Sequence, residues 1–308
     1  MDLLSRIRFE FVGYQIDNYK KYEISNNRSK KNKYHLDFIK EFENKDFIDK
    51  NFKEIENLCA NINEIYAKKL GISPALIEYL TWCDCEFMQT FTDRNYIQIS
   101  DEFYKEYQNN RIAELNREQI GYFYLYGILH ETYHTYQNYN LHRYFNDNSY
   151  NQNDLKDYLE SMIVEFNTRG YSYFEQLTFY ETDLTEFKAN QFAFYSMIDL
   201  VNKGYLDSKC IKFLKLQFKK YVKESFHKDN VEFVKKTFKA NLEKFKEIKT
   251  LDGNDYNVNF VKNLQKLCQE CEELDIDKIY QKTLKDIDKI ENNINLLSKA
   301  EEQLKHTN

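Results

Sequence analysis

Two histidines and a glutamate stand where they can do metal chemistry. His130, Glu131 and His134 form a His-Glu-x-x-His run within residues 128–137. On a helix, positions four apart project from one face. His130 and His134 can therefore offer imidazole nitrogens to one Zn²⁺ at about 2.0–2.1 Å each. Glu131 falls on the adjacent part of that face. It can take a proton from water acidified by the metal without filling a metal position itself, which is the arrangement for metal-assisted hydrolysis. The competing reading is a coincidence of composition on a buried helix, and with only six histidines in the chain the spacing is a specific signal.

That chemistry needs a helix, and the flanking residues predict one over about 117–140. Asn116 can cap it, with Gln119 three residues on as capping-box partner. No proline interrupts 120–139. Gly127 sits one turn before His130 and Glu131; its missing side chain leaves room either for substrate or for a closely packed neighbour.

The segment resembles the active-site helix of the zincin metallopeptidases. The metzincin branch places a third ligand six residues after the second histidine and a glycine three after it. Those positions are Asn140 and Gln137 here, so that branch does not fit. His142 comes two residues too late and reads as an ordinary surface histidine. The third ligand must lie further along.

Two glutamates compete for that position. Glu186 stands in Glu186-Phe187-Lys188-Ala189-Asn190-Gln191-Phe192-Ala193, which resembles the third-ligand helix of the gluzincins and is closest to the Glu-x-x-Ala-Asn-x-Phe-Ala pattern of the ImmA/IrrE group. On a helix Glu186, Ala189, Asn190 and Ala193 share a face. The alanines allow close approach to the active-site helix, and Asn190 can hydrogen-bond a ligand histidine from behind. The spacing departs from the group, because Glu186 lies 52 residues after His134. Glu165, the alternate, lies 31 residues after it, among small Ser161, Thr168 and Ser172. There Arg169 occupies the position where Asp or Asn is expected, and a cation opposes metal binding. Either carboxylate can also be a solvated helix residue.

Composition sets the frame. A chain of 308 residues with 42% apolar and 31% charged residues and a net charge of −6 is a globular protein without a broad nucleic-acid-binding surface. One proline and seven glycines favour long helices over a turn-rich β protein. No membrane span is expected, since no run of eighteen apolar residues occurs. Met1 to Gln15 carries Arg6, Arg8 and Glu10 through what would be the apolar core of a signal peptide, and a cytoplasmic location is the expectation. The cysteines at 59, 83, 85, 210, 268 and 271 follow no disulfide or zinc-ribbon spacing and read as reduced thiols.

Along the chain, Ile7 to Val12 can be a strand and Asn26 to Lys33 a basic loop. Phe52, Ile55, Cys59, Ile62 and Tyr66 repeat at helical spacing up to Gly71. Ser73-Pro74 reads as the cap and first turn of another helix, and 82–91 as aromatic core. Tyr96 to Ser100 alternates like a strand, either the substrate-pairing edge that zincins place before the active-site helix or a small internal strand. A polar loop over 146–153 leads to a striped helix over 154–179. A second buried helix runs over 184–202, ended by Gly204. Beyond Cys210 two further apolar stripes, at 231–248 and 276–297, flank a turn at Asp252-Gly253-Asn254.

The expected fold is mainly α, an α+β zincin-like core with a small sheet. The expected regions are a mostly helical 1–90, a catalytic core at 91–207 and a helical 208–308. The resemblance implies a zinc metallopeptidase with His130, His134 and Glu186 as ligands, Glu131 as general base and a specific protein as substrate. The alternatives are a host-directed toxin protease and a catalytically idle metal-bound scaffold that binds a partner through its helices.

Overall fold

The helical spacing that begins at Phe52 builds the first long helix among the described residues, α1 (Phe52–Leu70). Asn51 caps it by accepting from the Glu54 N–H, while the Glu54 carboxylate accepts from the Asn51 N–H, a reciprocal capping box. Gly71 ends it at φ 77°, a left-handed conformation that suits glycine. Ile55, Cys59, Ile62 and Tyr66 are buried as the spacing predicts. Phe52 is the exception: it is partly exposed and stacks on Tyr79 at 4.4 Å. The structure, a computed structural model, describes residues 36–80, 87–90, 95–101, 115–146, 184–223, 232, 236 and 276–307.

The fold is mainly α, with one small sheet among the described residues. Its three strands are β1 (Leu76–Leu80), β2 (Met88–Thr90) and β3 (Tyr96–Ser100), in the order β1-β3-β2. β1 runs parallel to β3 and β2 antiparallel to it, with Ile77 opposite Ile97 and Gln89 opposite Gln98. β3 is therefore central and buried at every position. Of the two readings of 96–100, the internal strand holds, and among the described residues the edge strand that meets the helix of His130 and Glu131 is β2.

β1 corrects the helix expected after Ser73-Pro74. The side chain of Asn95 donates to the carbonyls of Ser73 and Pro74, and Asn63 Oδ1 accepts the Ala75 N–H at 2.7 Å. These bonds hold the chain extended into a segment whose Ile77 and Tyr79 suit a pleated surface. A proline after serine is compatible with either outcome, and the partner strand decides.

The long helix α2 (Ile120–Asn146) follows a 3-10 turn at Arg117–Gln119, where Gln119 Oε1 accepts the Asn116 N–H at 3.0 Å. α3 (Leu184–Asn202) ends near Gly204 at φ 75°. α4 (Cys210–Gln217) continues into a π-helical stretch, Phe218–Lys223, and α5 (Ile276–Thr307) closes the chain. On α5, Tyr280, Ile287, Ile290 and Ile294 are buried, as its stripe predicts, whereas Leu284 of the same stripe is exposed. The readings at Ile7–Val12, Asn26–Lys33, 146–153, 154–179, 231–248 and 252–254 lie wholly or largely outside the described residues. So do Glu165, Cys83, Cys85, Cys268 and Cys271. Cys59 and Cys210 are buried free thiols.

The chain divides into two compact units. One comprises Met1–Ile16, Gln137–Lys188 and Lys219–Asp288; the other comprises Asp17–Tyr136, Ala189–Phe218 and Lys289–Asn308. Within the second, α2 packs tightly at two glycines. A Cβ on Gly121 would lie 2.1 Å from the Phe42 carbonyl oxygen, and one on Gly127 would lie 2.5 Å from the Phe87 ring and 3.0 Å from Met88 Sδ. Of the two readings of Gly127, close packing is the one realised. Among the described residues no helix is long and apolar enough to cross a membrane.

Candidate metal centre

α2 carries His130, Glu131 and His134 on the turns that face β2 and α3. The Nε2 atoms of His130 and His134 lie 2.9 Å apart, and the rings meet at 79°. Two Zn–N bonds of about 2.0–2.1 Å at a tetrahedral angle would span about 3.4 Å. A small outward turn of either ring reaches that separation, so both nitrogens converge on one point.

Glu186, on the first turn of α3, joins them. His130, His134 and Glu186 each offer one ligand atom, all within 4.8 Å of one another, and all three side chains are half-buried. Two imidazole nitrogens and one carboxylate oxygen can hold a metal ion and leave a further position open. This is the only such group of three among the described residues.

α3 is held where this requires. Asn190, one turn after Glu186, places Oδ1 3.1 Å from His130 Nδ1. The amide oxygen accepts, so Nδ1 donates and Nε2 keeps its lone pair for a metal. Tyr126 donates to the same Oδ1 at 2.7 Å. Ala189 and Ala193 are fully buried, consistent with a face built for close approach. Phe192 stacks on Tyr133 at 5.0 Å. Gln137, where a metzincin has glycine, donates from Nε2 to the Thr185 carbonyl at 3.1 Å, next to Glu186.

Glu131 is buried, 8% exposed, and turned toward the sheet. Thr90 on β2 donates to its Oε2 at 2.7 Å and reaches its main-chain oxygen at 3.0 Å. Behind the site, Thr132 Oγ1 donates to the Ile128 carbonyl and accepts from Asn63 Nδ2 at 2.9 Å. Asn63 is wholly buried and thus ties α2 to α1 and to the start of β1.

Thr90 and Tyr126 are the partners that sequence reasoning missed. Thr90 lies in a three-residue strand too short for periodicity to reveal, and Tyr126 is one of 26 tyrosines. Its place one turn before His130 was the only available signal. Compared with family models, curated proteins and solved structures, the chain matches none.

Proposed function

We propose that the chain is a zinc-dependent protease of the gluzincin type, with His130, His134 and Glu186 holding the metal and Glu131 as general base. The observation that carries this reading is the convergence of two imidazoles and one carboxylate within 4.8 Å, with Glu131 next to the first imidazole in sequence. Zinc bound there would acidify water and polarise a carbonyl. Glu131 takes the proton from the attacking water and passes it to the leaving amine. Thr90 holds one carboxylate oxygen by its hydroxyl, which leaves the other to meet water. Asn190 keeps His130 in the tautomer that ligates.

The substrate is a protein segment, in keeping with the resemblance of Glu186 to Ala193 to the ImmA/IrrE pattern, and the setting is the cytoplasm. An extended segment has a place to run: β2 is an edge strand among the described residues, and its Thr90 touches the base. The test is metal analysis of purified protein, followed by comparison of wild type with Glu131→Gln on a proteome of unfolded and folded substrates, with new amino termini read by mass spectrometry. Cleavage by the wild type alone is expected. Equal sets of new termini from both proteins would refute the proposal. Zinc without cleavage in either would favour the scaffold.

A further inference from the structure

We infer that Tyr126 is a positioning residue for the metal centre, acting through Asn190 on His130. The inference rests on the metal-binding reading of His130, His134 and Glu186. Tyr126 lies one turn before His130 on α2 and is buried. Its ring meets Phe194 edge-on at 5.2 Å and Phe213 at 6.2 Å, and both of those rings are wholly buried. The hydroxyl is thus carried by a ring with little freedom to turn. It donates to Asn190 Oδ1 at 2.7 Å, and the same oxygen accepts from His130 Nδ1 at 3.1 Å.

One amide oxygen therefore receives two donors, and this has a direction. To ligate, His130 needs its lone pair on Nε2, the nitrogen that faces His134. A neutral imidazole in that form carries its proton on Nδ1, and the proton needs an acceptor. Asn190 provides one only while its oxygen faces the ring. Turned over, its NH₂ would donate to Nδ1 and favour the tautomer with a proton on Nε2, which cannot bind a metal. The turned amide would also make the phenol accept, which it does poorly because its lone pairs are shared with the ring. Tyr126 thus biases Asn190 toward the orientation that His130 needs, without touching the metal position.

The distinction between positioning and mere packing can be measured. Tyr126→Phe keeps the ring between Phe194 and Phe213 and removes only the donor. Zinc affinity, read by competition with a chromophoric chelator, should fall by about three- to ten-fold, less than the loss expected when a direct histidine partner is removed. The decisive arm is the Asn190→Asp background. A carboxylate presents oxygen in either orientation and has no NH₂ to turn, so Tyr126→Phe should there cost less than about two-fold. Circular dichroism and the thermal midpoint establish that each variant is folded. Wild-type affinity in Tyr126→Phe, or the same loss in both backgrounds, overturns the inference while leaving the metal site intact. A wild-type protein that binds no zinc overturns the metal-binding reading itself, and the inference with it.

Discussion

The Thr90 hydroxyl lies 2.7 Å from Oε2 of Glu131 and 3.0 Å from the Glu131 carbonyl oxygen. A hydroxyl has one proton, so Thr90 can serve the carboxylate or the main chain in turn, and either bond ties Glu131 to β2. Hydrogen bonds to a charged group are stronger than neutral ones. Thr90→Val keeps the shape and removes the donor. On the proposed reading of Glu131 as general base, the expected result is unchanged zinc content, a kcat lowered about ten-fold as the carboxylate loses its orientation, and a nearly unchanged KM. Thr90→Ser should restore most of the loss. A rise in KM alone, or no rescue by serine, would mean that the strand rather than the hydroxyl matters.

The ligand set makes a second prediction, which needs no substrate. Glu186→Ala leaves two imidazoles, too few to hold zinc tightly, so metal content after dialysis should drop toward zero, as it should in His130→Ala and His134→Ala. Glu131→Gln should retain about one zinc per chain, because the amide is nearly isosteric and the residue is not a ligand. Inductively coupled plasma mass spectrometry on the four proteins decides this. Full zinc content in Glu186→Ala would return the third position to Glu165 or to another residue.

Much of this centre was legible because it rests on short-range rules. The four-residue spacing of His130 and His134 needs only a helix. The alanines at 189 and 193 and the amide at 190 announced a face that packs against another helix and a histidine. What the sequence could not show was what depends on distant pairing. Ser73-Pro74 looked like a helix start because its capping chemistry is local, whereas Asn63 and Asn95, which hold that segment extended, lie 12 and 21 residues from the groups they bind. Strand 96–100 was recognisable from its alternation, but its central place depends on β2, three residues long and without a pattern of its own.

The glycines of α2 give a third prediction with an internal ranking. In a helix interior, glycine to alanine usually gains roughly 1 kcal/mol. At Gly121 the new methyl would meet the main chain at Phe42, which cannot yield without moving the 3-10 helix Leu36–Glu43. At Gly127 it would meet the ring of Phe87 and the end of Met88, which can turn aside at some cost. Gly121→Ala should therefore be the more destabilising, by more than about 2 kcal/mol, and Gly127→Ala should cost about 1–2 kcal/mol while disturbing β2 beside Glu131. Denaturant midpoints compare them directly, and the reverse order would contradict the packing described.

Asn63 supports a fourth. It is fully buried and serves both the Ala75 N–H and Thr132 Oγ1. Asn63→Ala strands a main-chain donor and opens a small cavity, so a loss of about 2–4 kcal/mol is expected. Thr132→Val removes the hydroxyl partner of Asn63 and should cost less, about 1–2 kcal/mol, because the Ala75 bond survives. The two effects should fall short of additivity in the double variant, since both act on one bond. Strict additivity would show that the Asn63–Thr132 bond contributes nothing.

The last prediction concerns alkaline pH. Burial pushes the thiols of Cys59 and Cys210 up, with Glu56 adding to the effect at the first and Asp207 at the second. Burial likewise raises the hydroxyls of Tyr122, helped by the Asp207 carboxylate it bonds, and of Tyr124, helped by Tyr79. Each group holds its proton more tightly in the folded chain than in the unfolded one. The stability this contributes is therefore fully present below the ordinary values of 9.0 for a thiol and 10.0 for a phenol. It is lost as pH rises from those values toward the folded ones, because only the unfolded chain then releases protons. The thermal midpoint should hold from neutral pH to about 9 with respect to these groups and fall steadily above it. Tyr122→Phe has no proton to release and should flatten part of that fall, though it forgoes the bond to Asp207 at 2.9 Å and starts from a lower midpoint. A midpoint that stays level between pH 9 and 11 in the wild type would show that these groups titrate alike in both states, contrary to their burial.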